Sequence, residues 1–274
     1  MHINCKGKLI DLSSPKIMGI LNVTPDSFYD GNTLKSDKDI LSRTEKMLKD
    51  GATFIDVGGY SSKPNAKHIS EKEELQRALP VIKLLNEEFP ESFISIDTFR
   101  SKVAYETVQK GACLVNDISA GSLDKNMFKT IAKLQVPYII MHMQGTPQDM
   151  QNQPSYDNIT KEIIFYFSEK ISQLRKLQIN DIIIDVGFGF GKTIEQNYTL
   201  LNQLVLFKSL EVPILSGISR KSMLYKLLNT SPEKALNATT VANTIALMNG
   251  SSILRVHDVK EAYEAIKIVQ ALKR

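Results

Sequence analysis

The chain has 274 residues, of which 42% are hydrophobic and 23% charged, and its formal net charge is +4. This is an ordinary globular composition, and the lysines and arginines are scattered among acidic residues, which excludes the clustered basic stripe of a nucleic-acid-binding protein. No apolar run approaches the roughly 20 residues that span a bilayer, and the first residues lack the apolar core of a signal peptide. We therefore expect a cytoplasmic protein that binds neither nucleic acid nor a membrane.

The predicted elements begin with a small hairpin over residues His2–Asp11 that turns at Lys6-Gly7. From there, short strand-type runs alternate with amphipathic helical runs. The predicted strands are Ile17–Leu21, Thr53–Val57, Phe93–Ile96, Cys113–Val115, Tyr138–Met141, Ile182–Ile184, Ile214–Ser216 and Ile253–Val256. The predicted helices are Asp37–Lys49, Glu71–Glu88, Lys102–Lys110, Lys125–Lys133, Ile159–Leu177, Gln196–Phe207, Lys221–Leu228 with Ala235–Met248, and Val259–Leu272.

Strands that alternate with helices predict parallel pairing through right-handed crossovers. Eight such units in fewer than 280 residues fit a single (β/α)8 barrel, a TIM barrel with an N-terminal β-hairpin. A doubly wound open sheet is the alternative. Because no linker, repeat or low-complexity run divides the chain, we expect one domain over residues 1–274. The two cysteines, Cys5 and Cys113, provide neither a disulfide framework nor a metal quartet, and we expect both to be reduced.

The predicted strands end in polar residues almost every time. In a barrel of this kind the active site lies at the C-terminal ends of the strands. A lone carboxylate after a strand is usually a helix cap or a turn former, but eight convergent polar ends are hard to explain that way. The polar residues at or near the strand ends are Asn22, Asp56, Asp97, Asn116, Asp117, His142, Asp185, Arg255 and His257.

The residue types at the strand ends indicate which kind of ligand they could bind. A carboxylate can accept two parallel N–H bonds, and an asparagine offers a donor and an acceptor together, so Asp97, Asn116 and Asp185 could grip a flat heterocycle. Arg255 and His257 lie two residues apart and point to one face of an extended segment, where they could clamp an oxyanion or a phosphate. For His257 a helix-capping role is the alternative, and His142 has no second metal ligand nearby, which favours a structural role.

The glycine-rich segment Gly187–Thr193 matches neither of two phosphate-binding motifs. A P-loop needs glycine where Val186 stands, and the dinucleotide fingerprint needs glycine at Lys192. The segment is better explained as a loop whose backbone approaches a ligand closely, with Phe190 as a stacking face; a purely structural turn is the alternative. Ser219-Arg220-Lys221-Ser222 opens a helix after the seventh strand and could seat an anion, or it could be an exposed basic turn.

Seven segments together resemble the motifs of the dihydropteroate synthase family, in family order and over nearly the whole chain. They are Asn22-Val23-Thr24-Pro25-Asp26-Ser27-Phe28, Ser95-Ile96-Asp97-Thr98, Asn116-Asp117-Ile118-Ser119, Met141-His142-Met143-Gln144-Gly145-Thr146-Pro147, Gly187–Lys192, Ser219-Arg220-Lys221-Ser222 and Arg255-Val256-His257-Asp258. The resemblance implies a transferase of folate biosynthesis that condenses 6-hydroxymethyl-7,8-dihydropterin pyrophosphate with p-aminobenzoate. The products would be 7,8-dihydropteroate and pyrophosphate.

The resemblance also implies roles for individual residues. The catalytic group would be Asp97, Lys221 and Arg255, and the pterin would be held by Asp97, Asn116, Met141, Asp185, Phe190, Gly217 and Lys221. The diphosphate would bind to Asn22, Ser62, Arg255 and His257, with Mg²⁺ as the cofactor and Asn22 as its protein ligand. The p-aminobenzoate site, for which sulfonamides would compete, would comprise Ser62, Pro64, Phe190, Lys221 and Ser222. Phe28, Asp30 and Lys63 would take part in loop closure, and the protein would be a homodimer.

One segment departs from the family pattern. Families of this type commonly show Glu-Ser-Thr-Arg-Pro-Gly after the double glycine of the second barrel strand, whereas this chain has Tyr60-Ser61-Ser62-Lys63-Pro64-Asn65. Lys63 keeps the charge of the arginine but loses its bidentate fork. We expect the loop to close differently, with a changed affinity for p-aminobenzoate or sulfonamides.

Two other functions stay open on the sequence alone. A pterin-dependent methyltransferase would share the barrel and the pterin grip, although the Thr24–Phe28 loop and the Ser219–Ser222 segment suit a diphosphate and p-aminobenzoate better. A non-catalytic pterin-binding homologue is the second alternative, because a fold does not determine a function.

Overall fold

The strands of the chain form a closed parallel barrel and a separate hairpin in the computed structural model, which describes residues 1–24, 36–62, 68–145 and 155–272. In chain order the strands are β1 (His2–Cys5), β2 (Lys8–Asp11), β3 (Lys16–Asn22), β4 (Phe54–Gly58), β5 (Phe93–Asp97), β6 (Leu114–Asp117), β7 (Tyr138–Met141), β8 (Ile182–Asp185), β9 (Ile214–Ser216) and β10 (Ile253–Val256). Around the barrel the order is β10-β3-β4-β5-β6-β7-β8-β9, and β1 pairs antiparallel with β2. The predicted TIM barrel with its N-terminal hairpin is confirmed, and the open sheet is excluded.

Helices follow the barrel strands. They are α1 (Asp37–Lys49), α2 (Glu71–Glu88), α3 (Ser101–Val108), α4 (Met127–Leu134), α5 (Ile159–Lys176), α6 (Ile194–Asn202), α7 (Ser222–Leu227), α8 (Leu236–Met248) and α9 (Val259–Leu272), with 3₁₀ turns at Leu204–Leu210 and Pro232–Lys234. Within the described ranges, no helix is both long and apolar enough to cross a bilayer.

The predicted bounds differ from the observed ones for two physical reasons. Several strands extend through the polar residues at which the prediction stopped, such as Asn22, Asp97 and Asp185, because pairing with neighbouring strands outweighs low strand propensity. The predicted helix Gln196–Phe207 is wrong at both ends. Thr193 and Gln196 form a reciprocal capping box that starts α6 earlier, and α6 ends at Asn202, before a 3₁₀ turn.

Inward-facing positions change from apolar to polar along the barrel axis. At the bottom, one apolar cluster contains Met18, Phe54 and Ile253 from the barrel strands together with Ile3 and Cys5 from the hairpin. Its members are buried, so the hairpin closes this end of the barrel. Because strand side chains alternate between faces, the next inward positions of β4 and β10 are Asp56 and Arg255. The apolar layer therefore forms the floor on which the polar residues stand.

Candidate active site

An Arg255-centred network joins four strands at the C-terminal end of the barrel. Arg255 Nε donates to Asp56 Oδ2 over 2.6 Å, and its Nη2 donates to Asp97 Oδ2 over 2.7 Å. Asn116 Nδ2 donates to the same Asp56 oxygen over 3.0 Å. Burial raises the pKa of Asp97 to about 7, with Arg255 opposing the shift and Asp56 adding to it. The structure thus brings together three of the sequence-predicted residues and adds Asp56, which was noted as a strand residue but given no role.

A second polar group surrounds Gly217. A Cβ atom at Gly217 would lie 3.6 Å from Asp185 Oδ2, 3.9 Å from Lys221 Nζ and 4.0 Å from Arg255 Cβ. Burial raises the pKa of Asp185, and the Lys221 cation opposes that shift; burial lowers the pKa of Lys221 to about 8. Because Gly217 has no side chain, the point at which the Asp185 carboxylate, the Lys221 ammonium and the base of the Arg255 side chain converge is not filled by this residue. This confirms that Asp185, Lys221 and Arg255 lie together, as the sequence predicts.

The glycine-rich loop passes close to the end of β7. Gly187 has a φ of +71°, and a Cβ there would lie 2.0 Å from the carbonyl oxygen of His142, so only glycine fits. Lys192 is buried beneath the loop, and its Nζ donates to the carbonyl oxygens of His142, Gly187 and Phe190 over 3.2, 2.9 and 2.8 Å. Lys192 therefore shapes the loop rather than binding a phosphate, a role that the sequence alone did not reveal.

An apolar wall flanks the polar groups. Met141 is buried in a small cluster with Tyr60, Phe99 and Ile118, against which Phe190 packs. Lys221 Nζ lies 4.7 Å from the centre of the Phe190 ring and donates to the carbonyl oxygen of Phe188. A flat ring held by the polar groups would meet this wall, as the sequence predicts for Met141 and Phe190.

The segment after the eighth barrel strand, β10, is hydrogen-bonded to the segment after β9. The Ser219 hydroxyl accepts from the His257 backbone N–H over 3.2 Å and lies 3.0 Å from His257 Nδ1. This geometry favours a hydroxyl that donates to Nδ1 and a tautomer whose proton is on Nε2. Arg220 turns away from the cavity, donating through Nε and Nη2 to Asp258 and through Nη1 to two carbonyl groups. The Arg220 side chain is therefore not exposed, because its guanidinium is paired with Asp258, and the anion seat predicted for the segment as a whole stays a prediction.

Three further predicted residues lie at the mouth of the barrel. Asn22 is the half-buried last residue of β3, and its Oδ1 lies 3.2 Å from where a Cβ of Gly58 would be, next to Asp97. Ser222 is the first residue of α7, and Ser62 follows β4. Phe28, Asp30, Lys63 and Pro64 lie outside the described residues, so their predicted roles stay predictions.

A buried ion pair anchors the chain on both sides of the loop after β4. Arg100 is bound to Glu74, whose other oxygen accepts from the Thr98 hydroxyl over 2.6 Å. Arg100 also donates to the carbonyl oxygen of Ile69 over 2.6 Å, and its guanidinium lies 5.4 Å from the centre of the Tyr60 ring. Tyr60, one of the residues at which this chain departs from the family pattern, thus packs against this anchor. The sequence offered no signal for it, because Glu74 and Arg100 are far apart in the chain.

His142 has the properties of a structural residue. Its ring is buried and packs edge-on against Tyr166, with ring centres 4.9 Å apart. Burial lowers its pKa to about 2, so the imidazole is neutral at physiological pH. Across residues 1–24, 36–62, 68–145 and 155–272, no three His, Cys, Asp or Glu side chains are grouped to hold a metal ion.

Comparison with known proteins gives the same family throughout. The family described as pterin binding enzyme matches residues 18–257. Dihydropteroate synthase from Escherichia coli strain K12 is 43% identical over 99% of this chain and 96% of its own length. The enzyme of that name from Haemophilus influenzae is 40% identical over 99% of this chain and 98% of its own length.

Solved structures agree with these sequence relatives. A crystal structure of Yersinia pestis dihydropteroate synthase in a sulfonamide drug complex has a TM-score of 0.95 and 42% identity, covering 100% of this chain and 99% of the other. Xanthomonas albilineans dihydropteroate synthase with 4-aminobenzoic acid has a TM-score of 0.91 and 34% identity, covering 99% and 98%.

Proposed function

Since the chain belongs to the dihydropteroate synthase family of pterin-binding enzymes, we propose that the cavity at the C-terminal end of its barrel carries the synthase reaction through the residues described above. The activity is the condensation of 6-hydroxymethyl-7,8-dihydropterin pyrophosphate with p-aminobenzoate to 7,8-dihydropteroate and pyrophosphate. The pterin-dependent methyltransferase and the non-catalytic homologue are less well supported as functions, because relatives matched over nearly the whole chain are named dihydropteroate synthase.

The observation that carries the residue assignment is the convergence of Asp185, Lys221 and Arg255, each of which has an atom within 4.0 Å of the point where a Cβ of Gly217 would stand. A pterin ring has N–H donors on one edge and carbonyl and ring-nitrogen acceptors on another. Asp185 supplies acceptor oxygens and Lys221 supplies donors. The amide of Asn116 donates to Asp56, so its oxygen is left to accept from the ring. Met141 and Phe190 would cover the faces of the ring.

The diphosphate end of the substrate requires positive charge. Arg255, His257 and Asn22 stand at the rim, and an Nε2–H tautomer of His257 would donate to a phosphate oxygen. Mg²⁺ takes oxygen ligands and commonly binds through one or two protein groups plus substrate phosphates. The amide oxygen of Asn22 at the barrel mouth fits that donor set. When bound, the ion would supply charge neutralisation for the leaving pyrophosphate.

The chemistry proceeds by loss of pyrophosphate and attack of the arylamine. The bond between the pterin methylene carbon and the diphosphate oxygen breaks, and the electron pair leaves with pyrophosphate. Asp97 would stabilise the positive charge that develops on the pterin methylene. The arylamine nitrogen, unprotonated at neutral pH, forms the new C–N bond and then releases its proton to solvent. Positioning and electrostatics therefore carry the reaction.

The p-aminobenzoate would lie at the outer end of the cavity, beside Ser62, Pro64, Phe190, Lys221 and Ser222. The 4-aminobenzoic acid and sulfonamide complexes of related synthases support this class of ligand. Closure through Phe28, Asp30 and Lys63 is part of the proposal and is tested by Lys63→Arg. If Lys63 weakens closure, this variant should lower the KM for p-aminobenzoate, and an unchanged KM would contradict the role.

A homodimer is also proposed. Val241, Ile245 and Met248 are 53%, 41% and 51% exposed and lie at helical spacing on α8. Val205 and Leu206 in the adjoining 3₁₀ turn are likewise exposed. An apolar stripe of this kind is typical of a contact surface between subunits.

Binding and metal titrations test these assignments separately from turnover. Calorimetry with 6-hydroxymethyl-7,8-dihydropterin should show a loss of about 10²-fold in affinity for Asp185→Asn, because a carboxylate that accepts two N–H bonds becomes an amide. Asn22→Ala should raise the Mg²⁺ concentration for half-maximal velocity and leave that affinity unchanged. Equal pterin affinity in wild type and Asp185→Asn would contradict the pterin assignment.

A further inference from the structure

Asp56 is a fully buried carboxylate that the reaction, as derived above, does not use. It stands in the middle of β4, one inward step above Phe54 and the apolar floor. Its strand lies two positions from β10 on one side and two positions from β6 on the other. Asp56 therefore reaches across the interior to side chains on strands that are not its direct neighbours.

Both contacts of Asp56 are made by one oxygen. Oδ2 accepts from Arg255 Nε over 2.6 Å and from Asn116 Nδ2 over 3.0 Å. Across the described chain, Oδ1 has no hydrogen-bond partner, and neither has the buried hydroxyl of Ser95, which faces Asp56 in the register of β4 and β5. A buried charge that is only half satisfied costs stability, so a contribution to stability does not explain a carboxylate at this position.

The contacts have two geometric consequences. The Arg255 guanidinium is held by Asp56 at Nε and by Asp97 at Nη2, and two anchors of a planar group determine both its position and its plane. The Asn116 amide has two possible orientations, and only the one with Nδ2 toward Asp56 satisfies the carboxylate. That choice presents the Asn116 oxygen, an acceptor, to a bound ring.

The geometry points to Asp56 as a positioning residue of the synthase that aligns Arg255 for the breaking C–O bond and orients the Asn116 amide toward the pterin. This inference rests on the proposed function, because it takes from it the roles of Arg255 and Asn116. The proposed function assigns Asp56 no contact with either substrate, so Asp56 would act through Arg255 and Asn116, to which that function assigns substrate contacts.

Two substitutions separate the geometric role from the charge. Asp56→Asn keeps an acceptor oxygen for both donors but removes the charge, and Asp56→Ala removes both. We expect kcat/KM for the pterin diphosphate to fall about tenfold in Asp56→Asn and about 10²-fold in Asp56→Ala, since small misplacements of reacting groups have effects of that size. The KM for p-aminobenzoate should stay within twofold of wild type.

Asp117→Asn is the matched control. Asp117 is also a fully buried carboxylate, one strand beyond β5, but its oxygens accept hydrogen bonds from Tyr138, Ser119 and Gly121 and none from Arg255 or Asn116. Its replacement should lower the melting temperature and leave both KM values unchanged. Where Asp56→Ala fails to fold, as judged by circular dichroism, Asp56→Asn carries the test.

A pH profile adds a readout that a structural role would not move. The charges that act on the Asp97 carboxyl include the cations Arg255 and Lys221 and the carboxylates Asp56, Glu74 and Asp117. Without the charge of Asp56, the Asp97 carboxyl is better paired with Arg255 and its pKa falls. The midpoint of log kcat/KM against pH should therefore move to lower pH in Asp56→Asn.

The outcomes are distinct from a failure of the proposed function. A wild-type protein that makes no dihydropteroate would overturn the proposed function itself. An active wild type together with an Asp56→Asn variant within threefold in kcat/KM and with the same pH midpoint would overturn the role of Asp56. So would a fall in kcat in both Asp56 variants that is no larger than the fraction of protein unfolded in the assay and leaves the pH midpoint unchanged, because that pattern reports only a lost folded fraction.

Discussion

Replacing Asp97 by asparagine should slow the reaction far more than it perturbs the fold. The side chain stands at the end of β5, paired with Arg255 over 2.7 Å, and is 16% exposed. Asparagine has nearly the same shape and keeps an acceptor oxygen for the guanidinium. What is lost is the negative charge that would face the developing pterin cation.

The size of the effect follows from the charge that is removed. At about 4 Å and an effective dielectric constant of about 20, two unit charges attract by about 4 kcal/mol. If this attraction exists only in the transition state, its loss lowers kcat about 10³-fold. The free energy of unfolding should stay the same or rise at pH 8, because burial disfavours the ionised form of Asp97, as its raised pKa of about 7 reports.

Three measurements on the purified variant decide the matter. Steady-state kinetics give kcat and both KM values, calorimetry gives the pterin affinity, and urea unfolding gives the stability. Asp97→Asn should show the loss in kcat, whereas Asp117→Asn should lose about 1–3 kcal/mol of stability from its broken hydrogen bonds and keep its kcat. A kcat within tenfold of wild type in Asp97→Asn would refute the electrostatic role.

Other consequences of the structure are open to similar tests. Because the pKa of Asp97 is raised from 3.8 to about 7, kcat/KM for the pterin diphosphate should increase as pH rises through about 7, and a kcat/KM that does not change with pH would contradict this. The stability that the protonated carboxyl contributes is complete below about pH 4 and is lost as pH rises through 7. Gly187→Ala should destabilise the protein by several kcal/mol and abolish pterin binding, because its Cβ would lie 2.0 Å from a carbonyl oxygen. Gly7→Ala, with a φ of +75° and no atom within 4 Å, should lose only about 1–2 kcal/mol, and equal losses in the two variants would argue against the steric explanation. Ile245→Asp should convert the proposed dimer to a monomer in light scattering, and an unchanged mass would remove α8 from the contact surface.

The fold could be predicted because the pattern of the chain is regular. Alternating strands and helices indicate parallel pairing. In a barrel of parallel strands the C-terminal ends lie on one face, so the polar residues at those ends meet at one rim. The same reasoning placed Asp97, Asn116 and Asp185 in one cavity. Bounds were less accurate for strands as well as helices, and for the strands the reason is that residues such as Asn22 are poor strand formers in isolation.

The parts that escaped prediction depend on contacts between residues distant in the chain. Asp56 was visible as an acid within an apolar run, but its contact with Arg255 spans 199 positions. Lys192 ends a segment with three glycines, yet its three carbonyl acceptors are set by the packing of two loops. The pairing of Arg220 with Asp258 escaped prediction for the same reason, because the two residues lie 38 positions apart.

Coupled product formation is the most direct test of the central claim. The wild-type protein should be incubated with 6-hydroxymethyl-7,8-dihydropterin pyrophosphate and Mg²⁺, with and without p-aminobenzoate, and both pyrophosphate and 7,8-dihydropteroate measured. We predict that p-aminobenzoate gives the two products in equal amounts. Pyrophosphate release without dihydropteroate in the presence of p-aminobenzoate, or no release under either condition, would contradict the account.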